Sequence, residues 1–206
     1  MPDTSSPTLP ENGQAILLLR HCELVPNPEH RFVGQRDVEL SSYGEAHMTR
    51  LAEEIAETFE KTPPKAFFCS DLRRGIACAD ILRRAFRPRG GTMPVIADPG
   101  FREISLGAWE GLAKEEVEKR FPGALAERGK DFANYAPAGG ESLAMLQRRA
   151  LMAILRARMH TPEGLFVVVG HCAFNRTILA DYLALPLECA MSIPQPYGAI
   201  SLLWGR

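Results

Sequence analysis

The chain has 206 residues, 46% of them hydrophobic and 24% charged, which is enough to bury a sizeable core. Its formal net charge of −1 gives no global attraction for nucleic acid or an anionic membrane, so a bound anion must rely on a local group of arginines. No window is long and apolar enough to span a bilayer.

The opening MPDTSSPTLPENGQ is polar and proline-rich, so residues 1–14 are expected to form a disordered tail ahead of a single domain over 15–206. AILLL (15–19) is the first of five short apolar runs; AFFC (66–69), PVIA (94–97), LFVVV (165–169) and AISLL (199–203) follow. They are continuous rather than alternating, the pattern of strands covered on both faces in a parallel sheet. Helical patterns lie between them. After Ser42 and Glu45, spaced as a capping box, Met48, Leu51, Ala52, Ile55 and Phe59 form one apolar stripe. A second helix starts near Asp71, with Ile76, Ala79, Leu82, Ala85 and Phe86 toward the core. A long one starts near Glu141 and buries Leu143, Leu146, Ala150 and Ile154, and another follows Cys172 through Ile178 and Leu179. The alternation predicts a three-layer α/β/α sandwich with a mostly parallel sheet. Residues 98–140 break the rhythm with glycines, prolines and one short helix, KEEVEKRF, and are expected to form the wall or lid of a site.

Five scattered cysteines without a CxxC pair suit neither a disulfide framework nor a zinc site, and free thiols imply a reducing cytoplasm. In open α/β sheets ligands collect at the carboxyl ends of the strands. Those ends carry Arg20 and His21, then Ser70 with Arg73 and Arg74, then Arg102 and Glu103, then His171. Arginine forks grip phosphate oxygens, and a helix start adds backbone donors. One histidine can take the phosphoryl group as nucleophile, a second, when protonated, can stabilise charge, and a carboxyl group can protonate the leaving oxygen. No Walker motif, HExxH or carboxylate cluster is present, so the set points to metal-free phosphoryl transfer with no cofactor.

Taken in order, five blocks resemble the histidine phosphatase superfamily, the phosphoglycerate mutase-like fold, over residues 15–204. RHCELVPNPEHRFVGQRDVELSSYG resembles the RHG block, with Asn27, Arg31, Gly34, Asp37, Leu40 and Gly44 in register. CSDLRRGIACA resembles SxLxRAxxTA and selects Arg74 over Arg73. FREISLGAWEGL supplies Glu103, AGGES (138–142) resembles PGGES, and VVGHCAFNRTIL supplies His171. The resemblance implies that His21 attacks phosphorus, that Arg20, Asn27, Gly34, Arg74 and His171 bind the phosphoryl group, and that Glu103 is the acid. It also places the strands of His21 and His171 side by side.

Four positions depart from the family pattern: Cys22 and Cys172 stand where relatives carry glycine, Leu24 replaces a Ser/Thr, and Ala138 a proline. Each cysteine sulfur is expected to narrow the pocket; the favoured reading makes each a small buried apolar filler, and the alternative, if they end neighbouring strands, brings them within disulfide range, where oxidation would shut the pocket. The short excursion and AGGES resemble phosphatase-type members, such as α-ribazole phosphatase and broad-specificity phosphatases. The leading reading is a phosphomonoesterase for a small-molecule phosphate ester, without nucleic-acid or membrane partners. The alternatives are mutase-type transfer, or a slow or non-catalytic phosphate-ligand binder. An apolar edge strand allows a homodimer.

Overall fold

The computed structural model describes residues 13–86 and 93–204; the expected tail lies, but for its last two residues, outside them. Each apolar run is a strand: β1 (Gln14–Arg20), β2 (Ala66–Cys69), β3 (Val95–Ala97), β4 (Gly164–Gly170) and β5 (Ile200–Trp204). The helices are α1 (Ser42–Thr58), α2 (Arg73–Ala85), α3 (Lys114–Arg120), α4 (Ala124–Lys130), α5 (Leu143–His160) and α6 (Cys172–Tyr182). The sheet order is β3-β2-β4-β1-β5, and only β5 runs antiparallel, against β1.

Burial explains the continuous runs. Ile16, Leu18, Phe68, Phe166 and Val168 point into one core with α5 and α6. Leu17, Leu19, Phe67, Val167 and Val169 point into another with α1 and α2. Alternate residues therefore face opposite layers, and both layers are apolar. The expectation of two covered faces fails at the edges. β3 keeps no fully buried residue, and β5 exposes Ile200 and Trp204. An edge strand is covered less completely than the centre of a sheet.

Three further local expectations change. Gln14 belongs to β1 rather than to the tail, and its side-chain amide donates to the carbonyls of Arg158 (2.7 Å) and Thr161 (2.6 Å). The α1 cap is Ser41, not Ser42: its hydroxyl accepts the Gly44 N–H at 2.9 Å. Gly44 has no side chain to reach back with, so no capping box forms. Ile76 is exposed, and Cys78 takes the buried position instead, because α2 turns Arg74, Cys78, Ala79 and Leu82 inward. Among the described residues no helix is long and apolar enough to cross a membrane.

Candidate active site

The parallel β1–β4 register pairs Arg20 with Gly170, so His21 and His171 leave the sheet side by side. Their ring centroids lie 5.0 Å apart. His21 is buried, and its Nδ1 lies 2.8 Å from the Cys22 carbonyl. A carbonyl only accepts, so Nδ1 carries the proton and the Nε2 lone pair stays available. Burial pushes the His21 pKa down to about 3; Arg74 and Arg20 add to the effect, and the Cys22 carbonyl opposes it. His171 is fully buried and held well below its ordinary value by burial first, then by His21, Arg74 and Arg20. Both rings are therefore neutral near pH 7.

Arg74 is 1% exposed. Its Nη1 donates to the Arg36 carbonyl (2.7 Å), its Nη2 to the Gly34 carbonyl (2.8 Å) and its Nε to His171 Nδ1 (3.3 Å). Gly34 serves the site through this carbonyl. Its φ of +53° suits glycine, and a Cβ here would overlap the Glu110 carboxylate. Arg73, by contrast, lies on the surface and pairs with Asp37 and Glu39. Close approach of α2 to the end of β2 completes the corner: a Cβ on Gly75 would meet Ser70 Oγ at 2.6 Å. That hydroxyl lies 2.8 Å from His171 Nε2.

Arg20 is braced from the opposite side. Its Nη1 donates to the Gln195 carbonyl, and its guanidinium lies 4.2 Å from the Tyr197 ring centre. Its Nε is buried without a hydrogen-bond partner. Three positions of one corner thus hold two guanidinium groups and a free imidazole nitrogen, an arrangement suited to an anion that accepts an in-line attack.

Residues 16–204 match the histidine phosphatase superfamily (branch 1). The chain belongs to that superfamily. It is 34% identical over 181 residues to a glucosyl-3-phosphoglycerate phosphatase of Mycolicibacterium vanbaalenii, covering 84% of this chain and 76% of that one. The native structure of a mycobacterial glucosyl-3-phosphoglycerate phosphatase superposes with a TM-score of 0.79 at 27% identity, over 94% and 91% of the two chains. The α-ribazole phosphatase of Shigella flexneri shares the fold at a TM-score of 0.78 and 19% identity, over 91% and 89%. This histidine phosphatase is thus a phosphatase-type member, as the short excursion and AGGES implied.

Glu103 reaches the site from the other layer. Its carboxylate accepts the N–H groups of Ala173 (3.0 Å) and Phe174 (3.2 Å) in the first turn of α6, next to His171. The histidine phosphatase holds this residue by backbone: Gln35 Nε2 and Arg149 Nη2 both donate to the Glu103 carbonyl, at 3.0 and 3.2 Å. Arg149 also pairs with Glu141 of AGGES and with the carbonyls of Gly100 and Arg102. Arg102 in turn forms a two-pronged pair with Asp71 at 2.6 Å on each prong. These contacts fasten residues 98–141 to α5 and to the end of β2.

One expected site residue behaves otherwise. Asn27 turns into its own loop: its amide donates to the Arg31 carbonyl (2.8 Å) and accepts the Arg31 N–H (3.1 Å). No disulfide joins Cys22 to Cys172, and all five cysteines are free. Cys22 enters the α1–α2 core, 3.9 Å from the Met48 sulfur, whereas Cys172 opens α6 in the opposite layer, half-buried near Arg20 and Glu103. Only the second sulfur bears on the site. Sequence reasoning gave no role to Tyr197, Gln195 or Arg149. Arg149 left one signal, a charge beside the buried stripe of Leu146, Ala150 and Ala153.

Proposed function

We propose that this histidine phosphatase hydrolyses a small phosphate monoester through a phosphohistidine at His21. One observation carries the reading. The unpartnered Nε of Arg20 and the available Nε2 of His21 border a corner whose other wall is Arg74 and His171. Arg20 and Arg74 would hold the phosphoryl oxygens, while His171, neutral and engaged at both ring nitrogens by Arg74 and Ser70, positions the Arg74 fork rather than supplying charge itself. In the first step His21 Nε2 bonds to phosphorus and the bond to the ester oxygen breaks, that oxygen taking a proton from Glu103. In the second step water gives a proton to Glu103 and its oxygen bonds to phosphorus, which frees His21 and inorganic phosphate.

The neutral state of both histidines supports this order of events. A nucleophile must enter unprotonated, and His21 does so across the physiological range. Two fixed guanidinium groups then supply positive charge that no change of pH near neutrality removes. Asn27 and Gly34 act at one remove in this reading, Asn27 by shaping the 27–31 turn and Gly34 by holding Arg74. Residues 98–140 act as the wall that carries Glu103. We place the enzyme in a reducing cytoplasm, where five unbridged thiols persist.

The test is phosphate release from an ester panel by wild type and His21→Ala. Glucosyl-3-phosphoglycerate belongs in the panel because it names three of the relatives. Wild type is expected to release phosphate from at least one ester far above the variant, and an acid-labile label is expected on His21. Equal release from every ester would overturn the proposal.

A further inference from the structure

Residues 193–199 form a strap that runs past the end of β1. The Gln195 carbonyl accepts from Arg20 Nη1, the Ala199 carbonyl accepts the Arg20 backbone N–H at 2.9 Å, and the Tyr197 ring covers the Arg20 guanidinium. The strap is itself tied to α6. Arg176 Nε donates to the Ile193 carbonyl at 2.8 Å, and Asn175 Nδ2 donates to Gln195 Oε1 at 3.0 Å. The second tie is interior: Asn175 is 0% and Gln195 6% exposed.

Asn175 is costly where it stands. Ala173, Phe174, Ile178 and Leu179 make most of the buried side of α6 apolar, and Asn175 Oδ1 is buried there without a hydrogen-bond partner. Thr177, the other buried polar side chain of α6, closes on the Phe174 carbonyl of its own helix at 2.8 Å. Asn175 instead reaches out, and the direction of its amide explains the orphaned oxygen. Gln195 Nε2 donates to the Pro194 carbonyl at 3.1 Å, which turns Oε1 toward α6 and requires Asn175 to present its NH₂ group. Oδ1 then lies against the end of β4, where a Cβ on Gly170 would meet it at 2.1 Å. Gly170 is the register partner of Arg20, and its carbonyl accepts the His21 N–H at 3.2 Å. The amide thus spans from the strand end behind the catalytic corner to the strap that covers it. Leucine would fill the position without an orphaned oxygen, so burial alone gives no reason for asparagine.

We propose that Asn175 is a positioning residue for the Arg20 fork, acting through Gln195. Gln195 stands between Pro194 and Pro196. Each proline fixes its own φ and restricts the residue before it, so the Gln195 backbone has little freedom of its own and follows its anchored side chain. Holding that side chain holds the carbonyl on which Arg20 Nη1 rests, and keeps the unpartnered Arg20 Nε at the corner. The inference rests on the phosphatase reading and adds to it the group that sets the geometry of one phosphate arginine. A fork without its brace spreads over several rotamers, and a small misplacement of a binding group lowers the rate steeply.

The experiment is a double-mutant cycle of Asn175→Leu and Arg20→Lys. It is read as the calorimetric Kd of inorganic phosphate and as kcat/KM on p-nitrophenyl phosphate. Lysine keeps the charge but lacks the fork that spans a carbonyl and a phosphate oxygen. With Arg20 present, Asn175→Leu is expected to weaken phosphate binding and to lower kcat/KM by about tenfold each. In the Arg20→Lys background the same substitution is expected to change either quantity by less than about twofold. A merely structural asparagine gives equal losses in both backgrounds; that result, or no loss with Arg20 present, overturns the proposal. Gln195→Met drops the acceptor Oε1 but keeps the backbone carbonyl. It is expected to repeat the pattern, and it carries the test should circular dichroism show Asn175→Leu unfolded. If His21→Ala matches wild type on p-nitrophenyl phosphate, the phosphatase reading fails, and the phosphate Kd cycle, which needs no turnover, still decides the positioning. A wild type that binds no phosphate removes the ligand of Arg20 and overturns the proposal as well.

Discussion

Lowering the pH from 7 to 5 should destabilise this protein through its buried histidines before its carboxylates contribute appreciably. His21 has an ordinary pKa of 6.5 when unfolded and about 3 when folded. Between those values the unfolded chain binds a proton that the folded chain refuses, so stability is full above pH 6.5 and falls as pH drops toward 3. One proton is worth about 1.4 kcal/mol per pH unit, so the His21 share of the loss by pH 5 is about 2 kcal/mol. His171 is shifted the same way and adds to the slope. Asp71, Asp80, Asp98 and Glu141 are held low by their arginine partners and backbone donors, but their unfolded values of 3.8 to 4.5 put their contribution mostly below pH 5. Urea unfolding of wild type and His21→Gln at pH 7, 6 and 5 measures the effect. The wild-type free energy should fall more steeply than that of the variant, by about 2 kcal/mol over the range. Parallel curves, or no fall in wild type above pH 5, would refute the reasoning.

Other variants test the remaining geometry. Arg74→Lys leaves the Gly34 and Arg36 carbonyls sharing one ammonium, and kcat/KM should drop by about a hundredfold or more in steady-state assays. Gly34→Ala forces a side chain into left-handed backbone beside Glu110; it should cost about 1–3 kcal/mol in chemical denaturation and lower activity through Arg74. If Glu103 protonates the leaving oxygen, Glu103→Gln should lose about a hundredfold more activity on alkyl phosphates than on p-nitrophenyl phosphate, whose leaving group needs no proton. Equal losses would remove Glu103 from that role. Peptide mapping after mild diamide treatment should find no Cys22–Cys172 link, because the two thiols occupy opposite layers.

The sheet was readable because its strands are short, apolar and covered on both sides, and apolar runs advertise that directly. The α5 stripe was readable for the same reason, since Leu143, Leu146, Ala150 and Ile154 all fall in the core. Ile76 misled because α2 spends inward-facing positions on Arg74 and Cys78, and a buried arginine leaves no hydrophobic mark. α4 went unseen because seven residues give too few turns for a period to emerge. Within the proposed site, His21, Arg74, Glu103 and His171 were legible as candidates because they stand at strand and helix ends. The groups that hold them were not. Gly34 and Arg36 act on Arg74 through carbonyls, which every residue possesses, and Tyr197 and Gln195 sit in an aperiodic stretch. Their partner, Arg20, lies 175 residues from Gln195 in sequence.

That separation has a consequence for synthesis on the ribosome. β1 is made first among the strands, yet both of its neighbours, β4 and β5, come from residues 164–204. Arg20 gains its brace from Gln195 and Tyr197 in that same late stretch, and its backbone N–H bonds to the Ala199 carbonyl. A nascent chain stalled after α5 would hold α1, α2 and their loops but expose a greasy β1 with no strand to pair with. Such a fragment would be a client for chaperones, and the proposed phosphate corner would assemble as one of the final events of folding.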